Sequence, residues 1–178
     1  MAREVLSLDE LNIEGRPKEI GETAEENAQI KARFYTQKTG LPVLSEDEAL
    51  YVDFLPKDKQ PGIYVRRIDG KIEVNDDKLL AHWESIISQT PKENRAGRWH
   101  FAYCLATPDG KVNTVSYDRR IIFFSPSSKM INPGWPLSSI QGPLKFKKPH
   151  IELTEQERRS EDTIILSKLK KIIDLYEK

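Results

Sequence analysis

Three consecutive carboxylates, Glu46, Asp47 and Glu48, are the residues of this sequence best suited to chemistry. They follow the short apolar run 41–44, which is typical of a buried strand and would hold the three side chains near one another at its end. Carboxylates held this close repel one another, so the arrangement needs compensation. Mg²⁺ supplies it, because this cation commonly binds one or two carboxylates together with substrate phosphates. A solvated acidic turn is the alternative interpretation.

The helix that precedes the cluster offers two further candidates. Thr23 and Glu26 have the spacing of a capping box, which predicts a helix from Thr23 through Lys38 that ends at Gly40. Glu26 and Asn27 fall in its first turn and could face the same cleft as the acidic cluster.

Composition excludes several other kinds of site. A single cysteine rules out an internal disulfide framework, and with three histidines it cannot form the usual Cys/His zinc site within one chain. The 28 basic residues balance the 28 acidic ones, which argues against a nucleic-acid partner. No apolar stretch approaches the roughly 20 residues that span a bilayer, and the N-terminus has no signal-peptide pattern. We therefore expect a cytoplasmic protein without nucleic-acid or membrane partners.

The remaining pattern predicts the elements that position these residues. Strands are predicted at 49–55, 98–106, 111–117 and 119–124, a tight turn at 107–110, a helix from Asn75, a loop over 125–149, and a last helix with the core-facing stripe Ile165, Leu169, Ile172 and Tyr176. Helices and strands alternate first and an antiparallel run follows. The expected fold is α/β, one domain over residues 1–178, with a mixed sheet flanked by helices.

Several motifs share one family resemblance. The run TAEENAQIKA from Thr23, followed by TGLPVLSED from Thr39, resembles the purine nucleoside triphosphate pyrophosphatases that act on non-canonical bases, the inosine/xanthosine triphosphatases. That family has a T-x-x-E-N-A-x-x-K-A helix and a strand L-P-V-x-x-[DE]-D-[ST]-x-L. The segments LYVDFL from Leu50 and PGIY from Pro61 are also similar to it, and the segment 98–104 is loosely so. The resemblance covers roughly residues 20 to 177.

The resemblance implies roles for the acidic residues. Members of the family hydrolyse a nucleoside triphosphate to a monophosphate and pyrophosphate with Mg²⁺ and an activated water. Asp47 matches the catalytic aspartate and a metal ligand, Glu26 matches the metal-binding glutamate, and Glu46 occupies the adjacent acidic position. The implied substrate-binding positions are Asn27, Glu48, Arg67, Gly134, Trp135 and Arg158. The resemblance also implies a twisted sheet and a homodimer or another partner chain.

The sequence also departs from the family pattern. The first strand and helix of the family, with a T-x-N-x-x-K phosphate loop, have no counterpart here, which identifies a shortened and diverged member or a start that lies upstream of Met1. Glu48 stands where the family has Ser or Thr and places negative charge near the expected phosphates. The base-binding loop F-G-[YW]-D-P appears as PGWP around Trp135, and the K-x-x-x-S-H-R segment retains only Arg158 in place of its lysine.

Two functions follow as expectations. The first is a Mg²⁺-dependent nucleoside triphosphate pyrophosphatase that acts on purine nucleotides such as ITP or XTP, with altered or relaxed base preference. The alternative is a catalytically degenerate relative that binds a nucleotide or a partner chain, because loss of the first strand would leave a strand edge open to pairing.

Overall fold

A computed structural model of the chain describes residues 5–68 and 72–176, and of residues 175 and 176 it describes the backbone alone. The elements of this part of the chain are α1 (Ala24–Thr39), β1 (Val43–Val52), β2 (Arg67–Ile68), β3 (Ile72–Glu73), α2 (Asp76–Gln89), β4 (Ala96–Ala106), β5 (Val112–Phe123), β6 (Gln141–Pro143) and α3 (Glu155–Tyr176). Short 3-10 turns lie at Lys57–Lys59, Lys92–Asn94, Pro136–Ser139 and His150–Glu152. The predicted α/β class is confirmed.

The main sheet has four strands in the order β1-β4-β5-β6, and each neighbouring pair is antiparallel. β2 and β3 form a separate antiparallel pair. We expected a mixed sheet, and the described strands correct that detail. The tight turn between β4 and β5 explains part of the difference, because a short hairpin connection can join only antiparallel strands.

Two strands are longer than their sequence patterns indicated. β1 runs without interruption from Val43 to Val52, so the acidic residues lie inside a strand and not in a turn after it. β5 likewise joins the two strands predicted at 111–117 and 119–124. Ten residue pairs hold β1 against β4, from Val43 opposite Ala106 to Val52 opposite Gly97. Pairing along its whole length keeps β1 extended through a charged stretch that alone favours a turn.

The two faces of the sheet are packed differently. α1 lies on one face, where small buried side chains allow close approach: Ala24, Ala28, Ala32, Ala49, Ala102, Cys104 and Ala106. The other face has a core of large apolar side chains beneath α2, the Pro136–Ser139 turn and α3, among them Trp83, Trp99, Phe101, Phe123, Ile140 and Ile172. This second face is the one that contains a cavity near the acidic residues.

Local signals place the helices where the sequence predicted them. The Thr23 side chain accepts a hydrogen bond from the backbone N–H of Glu26 at 3.2 Å, and α1 ends at Gly40, whose φ of 67° is left-handed. Asn75 caps α2 by accepting from Lys78. Of the stripe predicted on α3, Ile172 is buried and Ile165 and Leu169 pack on the core, whereas the Tyr176 side chain lies outside the described residues. Among the described helices, none has the length and apolar character that crossing a membrane requires.

Candidate functional site

The alternation of side chains along β1 divides the acidic cluster between two faces of the sheet. Asp47 lies opposite Ala102, on the face that α1 covers. Glu46 and Glu48 lie opposite Tyr103 and Phe101, on the face with the large apolar core. The three carboxylates were predicted to lie together, but the structure brings together only the two glutamates.

Asp47 is held by a residue of α1. A carboxylate oxygen of Asp47 lies 2.6 Å from the Lys31 ammonium nitrogen, and Glu19 is 3.7 Å from the same nitrogen. Asp47 and Lys31 are each largely buried, with 13% and 21% of their side chains exposed. In the sequence, Lys31 stands out only as part of the helix motif. In the structure it is the cation that pairs with Asp47.

Glu46 and Glu48 form a pair of carboxyl groups on the same face of β1. The Tyr103 hydroxyl donates a 2.9 Å hydrogen bond to Glu46. Burial raises the pKa of Glu46 in spite of that bond. Burial and then the neighbouring Glu46 raise the pKa of Glu48 to about 7. The pair is therefore costly to keep ionised without a nearby cation.

Arg119 of β5 supplies positive charge at this pair. Its charge favours the ionised forms of both Glu46 and Glu48, and its guanidinium carbon lies 4.7 Å from the centre of the Phe101 ring. Arg119 is not among the residues predicted from the sequence. A signal was present, because Arg119 shares the strand face of the apolar Ile121 and Phe123, and a charged residue on such a face needs a partner.

Glu26 and Asn27 have structural contacts at the start of α1. The Glu26 carboxylate is exposed and accepts a 2.7 Å hydrogen bond from the backbone N–H of Glu22. Asn27 is buried and accepts a 2.9 Å hydrogen bond from the backbone N–H of Gly21. Glu26 is two residues from the sheet-facing Ala28, so it points about 200° away around the helix. The structure therefore does not bring Glu26 to Asp47, and within residues 5–68 and 72–176 no group of three metal-binding side chains forms.

A cavity of about 260 Å³ adjoins the Glu46 and Glu48 side of the sheet. Its polar and aromatic lining includes Glu48, Arg66, Trp99, Arg119, Trp135, Gln141 and His150, and Gly134 also borders it. Three of the predicted substrate-binding residues, Glu48, Gly134 and Trp135, thus meet at one cavity. Its size is near the lower end of the roughly 300–1,000 Å³ typical of pockets for drug-sized ligands. It suits one heterocycle better than a whole nucleotide.

The other two predicted arginines lie elsewhere. Arg67 forms an ion pair with Glu73 at 3.9 Å and lies over the Tyr64 ring, and its neighbour Arg66 borders the cavity instead. Arg158 donates to the backbone carbonyls of Leu153 and Ile151 at the start of α3. It does not border the cavity, but it acts there through the residue described next.

His150 reaches the cavity wall from the turn that precedes α3. Burial, together with the positive charges of Arg119 and Arg158, lowers its pKa to about 4. The imidazole is therefore neutral at neutral pH, with one donor nitrogen and one acceptor nitrogen. The sequence pattern gave no sign of this role for His150.

One edge of β1 is partly open. Leu50 exchanges two backbone hydrogen bonds with Gly62, at 2.9 and 3.0 Å, and the Gln60 side chain bonds both backbone groups of Val52 at 2.8 Å. The backbone N–H and C=O groups of every second strand residue point the same way. Those of Glu46 and Glu48 therefore point toward this edge, as those of Leu50 do. In the described part of the chain, no backbone partner pairs with them there. A ligand at this edge could therefore reach Asp47 on one face of β1 and Glu46 and Glu48 on the other.

Comparison with known proteins gives a consistent result. Residues 1–119 match the sequence model of the Ham1 family. The chain is 38% identical over 115 residues to a dITP/XTP pyrophosphatase of Geobacter sulfurreducens, covering 63% of this chain and 55% of the relative. It is 42% identical over 100 residues to a protein of the same name from Vibrio parahaemolyticus, covering 54% and 46%. The chain spans about half the length of these curated relatives.

Solved structures share the fold. A crystal structure described as a nucleoside-triphosphatase / dITP/XTP pyrophosphatase from Mycobacterium abscessus superposes with a TM-score of 0.69 at 27% identity, covering 93% of this chain and 86% of that one. The Staphylococcus aureus Ham1 protein superposes with a TM-score of 0.70 at 20% identity, covering 94% and 86%. The second likeness supports the fold alone.

Proposed function

Because this chain belongs to the Ham1 family, we propose that it is a nucleoside triphosphate pyrophosphatase that converts a purine nucleoside triphosphate and water into the monophosphate and pyrophosphate. The names of its relatives support this reaction class, and the substrates in those names make dITP and XTP the first nucleotides to test. Since the chain spans only about half of those relatives, the proposal depends on what its own site can do.

The main support is the position of the carboxyl pair beside the cavity. Glu48 belongs both to the pair and to the cavity wall. Arg119 of β5 also lines the cavity, and its positive charge acts on Glu48. Trp135 is 62% exposed and offers an aromatic face at the cavity, on which a base can stack. A nucleotide with its base in the cavity would therefore place its phosphates near Glu46, Glu48 and Arg119.

The residues present fit a divalent cation. Glu46 and Glu48 are acceptors on one face of β1, and the pKa of each is raised chiefly by burial. Two carboxylates completed by phosphate oxygens are a common donor set for Mg²⁺. We propose Glu46 and Glu48 as its protein ligands, in place of the predicted set of Glu26, Glu46 and Asp47. When bound, Mg²⁺ would neutralise charge on the triphosphate and its leaving group.

The positions of Asp47, Lys31 and Arg119 suit them to further roles in the reaction. Asp47 is proposed as the carboxylate that orients the attacking water and accepts its proton, reached past the open edge of β1. Lys31, 2.6 Å from Asp47, orients that carboxylate and presents positive charge toward the phosphates. Arg119 offsets the charge of Glu46 and Glu48 and can donate to a phosphate oxygen.

The test is pyrophosphate release from ATP, GTP, ITP, XTP and dITP in the presence of Mg²⁺. We expect release from at least one purine nucleotide, and a loss of about 100-fold or more in Asp47→Asn, the size usual for a general base. Asp53→Asn is the matched control, since Asp53 lies just beyond the far end of β1 and pairs with Arg120 at 2.7 Å. Absence of release from every nucleotide would contradict the proposal.

A second candidate function is favoured by the open edge of β1. A partner strand could pair with the backbone of Glu46 and Glu48, which would make the chain a binding protein or one part of a complex. Self-pairing would bring like charges from two copies together, so a basic strand fits better. Sedimentation of the purified chain tests the predicted homodimer, and protection of Glu46 and Glu48 amides from hydrogen exchange tests pairing at the edge. A cytoplasmic location remains a prediction from the sequence.

A further inference from the structure

Two buried nitrogen atoms in the cavity wall have no hydrogen-bond partner among residues 5–68 and 72–176. They are Nε1 of Trp99 and Nε of Arg119, and both residues line the cavity. Trp99 of β4 and Arg119 of β5 lie directly opposite each other, so their side chains are neighbours on one face of the sheet. A buried donor left unpaired is costly, so this part of the wall suits a ligand that brings acceptor atoms.

Both nitrogen atoms are fixed as donors. The indole N–H of tryptophan and the Nε–H of arginine cannot act as acceptors, whatever the orientation of the side chain. Packing holds them beside one ring: Trp99 is only 6% exposed and its ring centre lies 6.3 Å from that of Phe101, and the Arg119 guanidinium lies over the same ring. The four other N–H donors of Arg119 remain for the carboxyl pair and for phosphate.

Few bases present two acceptors side by side. The O6 and N7 atoms of a 6-oxopurine are both acceptors on one edge, whereas adenine presents the N7 acceptor beside a 6-amino donor. Guanine differs from hypoxanthine only by a 2-amino group, which lies on the opposite side of the ring system from this edge. A pair of fixed donors therefore separates 6-oxopurines from adenine but does not separate guanine from hypoxanthine.

The other polar groups of the cavity wall do not exclude a 2-amino group. Gln141 and His150 can each offer a donor or an acceptor, the amide by rotation and the neutral imidazole by a change of tautomer. Arg66, the other cation of the wall, is engaged with Asp76 at 2.6 Å and with the carbonyl of Val74 at 3.2 Å. The fixed donors that are unpaired are thus those of Trp99 and Arg119.

We propose that Trp99 and Arg119 bind the O6 and N7 edge of a purine, and that the cavity therefore accepts guanine as readily as hypoxanthine and disfavours adenine. The identity of the ligand as a nucleotide rests on the proposed function. The assignment concerns which base is bound and not the catalytic step. Trp135 supplies the stacking surface beside these donors.

The first test varies the ligand and leaves the chain intact. Calorimetry measures the binding of the 5′-monophosphates of guanosine, inosine, adenosine and 7-deazaguanosine. The guanosine and inosine nucleotides are expected to bind with dissociation constants within about fivefold of each other. The adenosine nucleotide should bind at least about tenfold more weakly, because its 6-amino group would face a donor. The 7-deaza nucleotide lacks the N7 acceptor and should bind about tenfold more weakly than its parent.

The second test removes one donor from the wall. Trp99→Phe keeps an aromatic ring and deletes the indole N–H. It is expected to weaken the guanosine and inosine nucleotides by about tenfold and to leave the binding of pyrophosphate unchanged.

Trp83→Phe is the matched control for this variant. Trp83 belongs to the same apolar core and stacks on Phe123 with ring centres 5.5 Å apart, but it does not border the cavity. This variant is expected to bind the nucleotides as the intact chain does. Thermal unfolding of both variants separates loss of the contact from loss of the fold, and if Trp99→Phe does not fold, the ligand series with the intact chain decides.

Several results would overturn the proposal. They are equal affinity for the adenosine and inosine nucleotides, a guanosine nucleotide more than about tenfold weaker than inosine, or no loss with the 7-deaza nucleotide. Unchanged nucleotide affinity in folded Trp99→Phe, loss of pyrophosphate binding in that variant, or binding of no nucleotide at all would do the same. Selective binding of the guanosine and inosine nucleotides without pyrophosphate release from any triphosphate would uphold this inference and refute the proposed function. Release from ATP as readily as from GTP would do the reverse.

Discussion

The Lys31 ammonium lies 2.6 Å from a carboxylate oxygen of Asp47 and so joins α1 to the strand with the acidic cluster. Lys31→Met would leave a largely buried carboxylate without its nearest cation. We expect this variant to lower the free energy of unfolding by about 1–3 kcal/mol, as measured by urea denaturation. Lys38→Met on the same helix is the control, because Lys38 contacts the exposed backbone carbonyl of Glu14 and the Phe34 ring rather than a carboxylate. Equal losses in both variants would contradict a special role for the pair.

The Glu46 and Glu48 pair is expected to set the metal requirement of the reaction. Glu46→Gln and Glu48→Gln should each raise the Mg²⁺ concentration for half-maximal pyrophosphate release by at least about tenfold, because each removes one charged ligand. Chelation by EDTA should abolish release from the intact chain. Glu84→Gln is the control, since Glu84 lies on α2 and bonds Ser127. Release that persists in EDTA would refute metal dependence.

His100 is expected to make stability depend on pH. It lies between two carboxylates, with ring nitrogens 2.8 Å from Glu25 and 2.6 Å from Asp118. Burial opposes its charged form, but the hydrogen bonds to Asp118 and Glu25 outweigh burial and raise the pKa of His100 above 6.5. For Glu25, burial raises the pKa, but the bond to His100 and its other hydrogen bonds bring it below 4.5.

The pH window follows from these directions. The His100 contribution is fully present below pH 6.5 and is lost as the pH rises through the raised pKa, whereas the Glu25 contribution is present above pH 4.5 and is lost as the pH falls through the lowered one. The stability difference between the intact chain and His100→Gln should therefore be greatest between those values. Its size should stay within about 1 kcal/mol, since these side chains are partly exposed. A difference that does not vary from pH 4 to 8 would contradict the prediction.

Gly142 is expected to tolerate no side chain. A Cβ atom at this position would lie 2.0 Å from the carbonyl oxygen of Lys148 and 2.9 Å from the backbone nitrogen of His150, and neither backbone atom can yield easily. Gly142→Ala should cost about 3 kcal/mol or more in the free energy of unfolding, or prevent folding. Gly110→Ala should cost only about 1–2 kcal/mol, because its φ of +87° is left-handed but the space around it is open. Thermal unfolding of both variants distinguishes the two causes.

Elements with local signals were predicted correctly from the sequence. The hydroxyl of Thr23 and the conformational freedom of Gly40 mark the ends of α1, because both act on backbone groups only a few residues away. The turn at 107–110 forms as predicted, with a 2.9 Å bond from Gly110 to the Thr107 carbonyl. The motifs of the first 119 residues were likewise sufficient to recognise the family.

The acidic cluster was predicted just after the end of a strand, whereas it lies inside β1. Glu46 lies in a strand because β1 pairs with β4 along its whole length, and the residues that contact its carboxylate, Tyr103 and Arg119, are far from it in the chain. The loop predicted at 125–149 contains a 3-10 turn and β6, and from it Gln141 reaches the cavity by pairing with Phe123. Neither outcome has a signal within the local sequence.

The sequence by itself determined the family, the helix ends, the β4 and β5 hairpin, and the residue types of a phosphate-handling site. Only the tertiary structure decided that Asp47 faces Lys31 while Glu46 and Glu48 face Arg119, and that Gln141 and His150 share a cavity with Trp135. The physical reason is range: caps and turns depend on backbone groups a few residues apart. Burial, charge compensation and cavity walls depend on side chains that only the pairing and packing of distant strands bring together.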